Sequence, residues 1–289
     1  MNPLDLVNLV LLMERTSGHP AVKVGIIDGP VVTEHPDLTA ASLHEISGNH
    51  AGICTKSNSM ACLHGTFIAG ILSAKRNSPA PAICPNCTHL IRPIFVESSV
   101  GLEHMPGATP HELAAAIIEC MDAGAQVINL SLALTQPSSK GEMVLEEALN
   151  QAVKRGVLVV AAAGNQGTLA SSVITRHRWV IPVVACNLAG RPTNGTNLGI
   201  SIGERGLGAP GEGITSLRAE GGHLTLGGTS VAAPFVTGAI ALLWSEFRMA
   251  TASQIKLAIA PLLRRAGIVP PLLNAEAAYQ TLLQANGGR

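Results

Sequence analysis

The stretch Gly227-Gly228-Thr229-Ser230-Val231-Ala232-Ala233-Pro234 sets a serine just after two glycines and a threonine. Glycines allow a close backbone approach that a Cβ would block. Phe235, Val236, Ala239, Ile240, Leu242 and Leu243 follow at helical spacing, which predicts a buried helix. Ser230 then falls in its first turn, where free N–H groups and the helix dipole favour negative charge. Such a serine is either a helix cap or a nucleophile. A nucleophilic serine needs a base, a carboxylate that orients the base, and donors for a tetrahedral oxyanion.

Three other residues can supply those parts. Asp28 closes the β-rich run Val22-Lys23-Val24-Gly25-Ile26-Ile27 and precedes Gly29-Pro30. It is therefore expected at the carboxyl end of a strand, where open α/β sheets carry their ligand sites. His64 opens the small, apolar run Gly65 to Leu72 and is expected at the mouth of a second buried helix. Asn165 follows the strand Val157 to Ala163 and carries a side-chain amide that can donate to an oxyanion. Each has an ordinary structural reading too, as a turn or cap residue. All four falling at the ends of core elements favours chemistry.

The elements that must position these residues alternate. Strands are expected at Val22–Asp28, His89–Phe95, Gln126–Ser131, Val157–Ala163 and Val180–Ala185. Helices are expected from Thr109-Pro110 to about Asp122, from Gly141 to Arg155, from Thr251 to Leu263 and from Asn274 to Gln284. Alternation of this kind implies an α/β fold: a doubly wound, mostly parallel sheet with helices on both faces, in three layers. The expected organisation is one domain over 1–289, with an N-terminal helix in 1–19, a core in 20–250 and C-terminal helices in 251–289. Met1 to Met13 is read as an amphipathic surface helix. Asn187 to Gly228 is read as a glycine-rich loop region.

Composition narrows the partners. The 289 residues carry no net charge, and only 13% are charged against 47% hydrophobic. No basic patch points to nucleic acid, and no run is long enough to span a bilayer. No export signal is evident, so a cytoplasmic setting is expected. Six cysteines allow inert thiols, loop disulfides, or a metal or redox site at Cys84-Pro85-Asn86-Cys87; the pairing of Cys54, Cys62, Cys84 and Cys87 stays open. Oligomeric state also stays open.

At Asp28-Gly29, His64-Gly65-Thr66, Ala162-Ala163-Gly164-Asn165 and Gly228 to Pro234 the chain resembles the subtilisin-like serine proteases, in that family's order Asp, His, Ser. His35-Pro36-Asp37-Leu38, Asn129-Leu130-Ser131-Leu132 and Ala209-Pro210-Gly211 resemble its minor blocks, so the likeness covers about residues 20 to 250. The resemblance implies a serine endopeptidase with no organic cofactor, in which Ser230 attacks, His64 moves the proton, Asp28 orients His64, and Asn165 holds the oxyanion. It further implies a cleft lined by Leu130, Ser131, Leu132, Ala133, Ala162, Ala163 and Gly164, whose backbone pairs with an extended peptide. Calcium, which the family binds near the Asp37 position, is not expected beside Lys75 and Arg76. Arg176-His177-Arg178 is either a solvated loop or a cluster beside the cleft that favours acidic substrate residues.

The chain departs from the family where Gly29-Pro30, Phe67, Val231 and Phe235 stand. Ile27-Asp28-Gly29-Pro30-Val31 and Pro93-Ile94-Phe95 resemble the cyanobactin maturation proteases, bacterial subtilases that trim ribosomally made precursor peptides. The interval from Asp28 to His64 is too short for the insertion of a macrocyclase, so the leader-side protease is the better likeness. The alternatives are a catalytically silent subtilase fold that binds a peptide, a redox or metal protein acting through Cys84 and Cys87, and a housekeeping subtilase.

Overall fold

The computed structural model describes residues 2–38, 42–46, 54–95, 97, 108–132, 141–260 and 267–286. Its main sheet contains β1 (Lys23–Asp28), β2 (Leu43–Glu45), β3 (Thr88–Pro93), β4 (Val127–Leu130), β5 (Leu158–Ala162), β6 (Val180–Cys186) and β7 (Leu207–Pro210). The spatial order is β2-β3-β1-β4-β5-β6-β7, and every neighbouring pair is parallel. Strands β4 to β7 are buried at every residue, the pattern of a sheet covered on both faces.

Successive side chains of a strand point to opposite faces, so each strand feeds two cores. Val24, Ile26, Val127, Leu158 and Val160 join the core containing α3 (Met60–Ser73) and α8 (Thr229–Glu246). Ile27, Ile128, Leu130, Val159 and Ala161 join the core containing α4 (Pro110–Asp122) and α5 (Glu142–Arg155). The expected three-layer, doubly wound architecture is therefore present. Thr109 and Glu112 form a capping box with Pro110 in the first turn, and Gly156 closes α5 in the left-handed region.

Several expectations are corrected. The N-terminus is not one surface helix. It forms α1 (Pro3–Leu6) and α2 (Val10–Arg15), broken at Asn8 with φ 50°, and Val7, Leu9 and Leu12 are fully buried. Helix α2 packs against α8 and α10 (Ala275–Asn286), while Leu11 stays half exposed. The region Asn187 to Gly228 is not all loop. It contains α7 (Ile200–Arg205), the edge strand β7, and a hairpin of β8 (Ile214–Leu217) and β9 (His223–Leu226). Between β5 and β6 lies the short α6 (Val173–Arg176), and α9 spans Ala252–Ile259, capped by Thr251. Residues 261–263 of the expected helix fall outside the described residues. Cys54 and Cys62 form a disulfide, while Cys84, Cys87, Cys120 and Cys186 are buried free thiols.

One packing detail positions everything that follows. A Cβ on Gly29 would lie 1.9 Å from the Ala61 carbonyl oxygen, and one on Gly65 would lie 2.3 Å from the Gly29 carbonyl oxygen. Helix α3 thus rests directly on the backbone leaving β1. Gly65→Ala should lower unfolding free energy by about 1–3 kcal/mol, the range for forced overpacking. Gly267→Ala, where a Cβ meets nothing within 4 Å, should change it by about 0.5 kcal/mol or less. Urea unfolding of the two variants checks this, and equal losses would refute it.

Candidate active site

Chain connectivity reverses across β1. From β1 the chain goes to β2 and β3 on one side, then returns to β4 on the other. Such a switch point opens a crevice at the carboxyl ends of the strands. Asp28 is the last residue of β1, Leu130 the last of β4, and Ala162 the last of β5.

Asp28 is fully buried. Its Oδ1 accepts from the Gly29 N–H at 2.6 Å and from His64 Nδ1 at 2.7 Å. His64 Nε2 lies 3.1 Å from Ser230 Oγ. Because Nδ1 faces a carboxylate, it carries the proton, which leaves Nε2 as the acceptor for the serine hydroxyl. Desolvation lowers the His64 pKa, but the Asp28 charge and hydrogen bond outweigh it, so the net shift is upward from 6.5.

His64 does not open its helix as expected. Helix α3 starts four residues earlier, capped by Ser59, whose Oγ accepts from the Cys62 N–H. His64 therefore sits in the second turn, held by a formed helix at its N-terminal side. The polar cap Ser59 was hidden in a stretch that reads as loop.

Ser230 lies in the first turn of α8, after Gly228 with φ 125°. Asn165 Oδ1 accepts from the Thr229 N–H at 2.9 Å and from Thr229 Oγ1 at 3.0 Å. A backbone N–H can only donate, so the amide orientation is fixed and Asn165 Nδ2 is turned outward as a donor. Among the described residues neither Nδ2 nor the Ser230 N–H has an acceptor. Thr229, fully buried, also accepts from the Gly164 N–H at 3.1 Å.

Sequence reasoning missed the supports of this loop. Asn197 accepts from the Gln166 and Thr168 N–H groups at 3.0 and 3.1 Å, and its own N–H donates to the Gly164 carbonyl at 2.9 Å. Asn197 belongs to the region read as loop, and no spacing marks it.

The expected cleft residues divide. Ala162, Ala163 and Gly164 lead into the Asn165 turn. Leu130 is fully buried and its backbone is paired on both sides, to Ile27 and Ala161, so it forms the floor beneath the crevice. Leu132 is also in the core, and Ser131 Oγ donates to the Ser230 carbonyl at 2.9 Å. Ala133 lies outside the described residues.

Arg176, His177 and Arg178 are not beside the cleft. They precede Val180, the first residue of β6, so they lie at the amino ends of the strands while Asp28 and Ala162 lie at the carboxyl ends. The idea that they select acidic substrate residues is withdrawn on that geometry. Asp37 Oδ2 is 3.2 Å from His223 Nε2, and Lys75 donates to the Pro36 carbonyl at 2.5 Å, so a cation already occupies that carbonyl. Among the described residues no third His, Cys, Asp or Glu ligand atom converges on Cys84 and Cys87. Among the described residues the one group of convergent ligand atoms is Cys54, Cys62 and Glu97, whose two sulfurs are already bonded to each other.

Comparisons with known proteins bear on the family and the fold. The thermophilic serine proteinase of Bacillus sp. (strain AK1) is 32% identical over 237 residues, covering 81% of this chain and 54% of that protein. The chain thus spans about half the length of that relative. Subtilisin DY of Bacillus licheniformis is 29% identical over 238 residues, with 81% of each covered. Among solved structures, a mutant of the protease domain of PatA superposes with a TM-score of 0.82 at 30% identity, covering 93% of this chain and 98% of that one. The prenylagaramide maturation protease PagA superposes with a TM-score of 0.81 at 28% identity, covering 95% and 98%. The PatG macrocyclase, at 21% identity, shares the fold. No described helix is long and apolar enough to cross a membrane. Residues 19–266 match the Subtilase family, a span that takes in Asp28, His64, Asn165 and Ser230, and the chain belongs to that family.

Proposed function

We propose that this chain is a serine endopeptidase that trims a ribosomally made precursor peptide, and that Asp28, His64, Ser230 and Asn165 carry the reaction. The observation that carries the reading is the continuous hydrogen-bonded chain from buried Asp28 through His64 to Ser230. In this mechanism Ser230 Oγ attacks the scissile carbonyl as its proton passes to His64 Nε2. Asp28 stabilises the imidazolium and keeps Nδ1 protonated. The oxyanion forms between the Ser230 N–H and Asn165 Nδ2, two donors with no competing acceptor among the described residues. His64 then gives its proton to the leaving amine, and water resolves the acyl-enzyme.

The whole chain acts as one peptidase domain in this reading. It is supported by α2, α9 and α10 joining the same core as α8. The precursor-peptide part rests on the likeness to PatA and PagA, both named as maturation proteases, together with the strand-end residues Ile27 to Val31 and Pro93 to Phe95. Cut-site mapping by mass spectrometry decides it: one or few cuts in a precursor peptide are expected. Broad digestion of denatured casein with the precursor left intact would sink the substrate assignment.

Three measurements test the mechanism. Ser230→Ala should lose at least about 10³-fold in kcat/KM and all labelling by a fluorophosphonate. A labelled Ser230→Ala protein would remove Ser230 from its role. Asn165→Ala should lose about 10²- to 10³-fold in kcat with little change in KM. The pH profile follows from His64. Only neutral His64 accepts the serine proton, and its pKa is raised above 6.5, so activity should fall as pH drops through a midpoint above 6.5. Asp28→Asn removes the charge that raises this pKa. It should shift that midpoint downward and reduce kcat by about 10⁴-fold. An unmoved midpoint would exclude Asp28 as the partner that sets it.

A further inference from the structure

Helix α8 contains Pro234, and its place in the helix has a consequence for Ser230. In an α-helix the carbonyl of one residue accepts from the N–H four residues on. For Ser230 that residue is Pro234, which has no N–H and whose ring crowds the same carbonyl. The Ser230 carbonyl therefore has no helical donor. It is satisfied from outside the helix: Ser131 Oγ donates to it at 2.9 Å.

Ser131 is itself held. Asn129 Nδ2 donates to Ser131 Oγ at 2.6 Å, and Thr237 Oγ1 donates to Asn129 Oδ1 at 2.8 Å. Asn129 and Thr237 are fully buried and Ser131 is 2% exposed, so water does not compete for these bonds. The direction of each proton is determined. An amide nitrogen only donates, so the Ser131 proton is free to go to the Ser230 carbonyl, and an amide oxygen only accepts, so Thr237 must donate to Asn129. Thr237 Oγ1 also lies 3.2 Å from the Ala233 carbonyl, a weaker second acceptor. The chain starts on α8 at Thr237, crosses the sheet end at β4, and returns to α8 at Ser230.

We propose that Ser131 is a positioning residue for the nucleophile. By holding the carbonyl that Pro234 leaves without a partner, it fixes the Ser230 peptide plane and so the aim of Ser230 Oγ at His64 Nε2. This assigns the Ser131 side chain a role distinct from backbone pairing with substrate. It rests on the reading of Ser230 as the nucleophile.

The test is a cycle of four proteins: the parent, Ser131→Ala, Pro234→Ala, and the double variant. Pro234→Ala restores an N–H that can take over the Ser230 carbonyl. With a peptide p-nitroanilide as substrate, Ser131→Ala should lower kcat about ten-fold with KM within about two-fold, the upper end for one lost hydrogen bond. In the Pro234→Ala background the same substitution should cost about three-fold or less. Equal losses in both backgrounds, or a loss confined to KM, overturn the proposal. Thr237→Val, which removes the far donor and leaves Ser131 in place, is the second variant: a smaller kcat loss at constant KM supports the chain, and a change in KM alone overturns it. A parent that neither hydrolyses peptides nor reacts with a fluorophosphonate would refute the protease reading instead. The melting temperatures of the same four proteins then still decide the hydrogen bond, non-additive shifts supporting the hand-off to residue 234 and additive shifts overturning it.

Discussion

Two backbones in contact set the geometry of this molecule. Gly65 sits against the carbonyl of Gly29, and Gly29 sits against the carbonyl of Ala61. Neither approach survives a Cβ, since a heavy atom would lie within 2.3 Å of an oxygen. Because α3 lies this close to the end of β1, His64 reaches the buried Asp28 carboxylate at 2.7 Å. A longer approach would leave a carboxylate buried without its imidazole, which is strongly unfavourable. The strand, the helix and the Asp28–His64 hydrogen bond are therefore mutually dependent.

The same contact accounts for a departure in the sequence. Subtilisin-like proteases usually have Ser or Thr directly after the aspartate, and this chain has Gly29. A side chain there would collide with α3, so no hydroxyl-bearing residue fits at position 29. The consequence is electrostatic. Asp28 Oδ1 takes both hydrogen bonds, while Oδ2 is buried with no partner among the described residues. An undersolvated carboxylate depends more heavily on a positive neighbour, which fits the upward shift at His64 despite complete burial.

Much of this was legible in the sequence, and for physical reasons. Fully buried parallel strands must be continuous apolar runs, so β1, β4, β5 and β6 were found within a residue or two. Asp28 and Asn165 stand at or just past the ends of such runs, where the pattern breaks, and Ser230 opens the apolar run of α8. What escaped was held by single polar bonds between segments distant in sequence. Asn197 supports the Asn165 turn from thirty-odd positions away, and β7 belongs to the sheet although its four residues include Gly208 and Pro210. The N-terminus misled for the opposite reason: Val7, Leu9 and Leu12 read as one face of a helix but are buried around a break at Asn8. Periodicity reports which residues are apolar, not whether the chain bends between them.

The remaining departures, Phe67, Val231 and Phe235, argue that specialisation does not act through the proton path. Phe67 and Phe235 are fully buried and Val231 is 1% exposed, all in the core shared by α3 and α8. Phe67 on α3 and Phe235 on α8 are both in that core, in a chain with only four phenylalanines. Large aromatic rings contribute much of the packing where other core residues are small. They have no titratable group, so they cannot hold or relay a proton. Their contribution is packing, in the core shared by α3 and α8, the helices that carry His64 and Ser230.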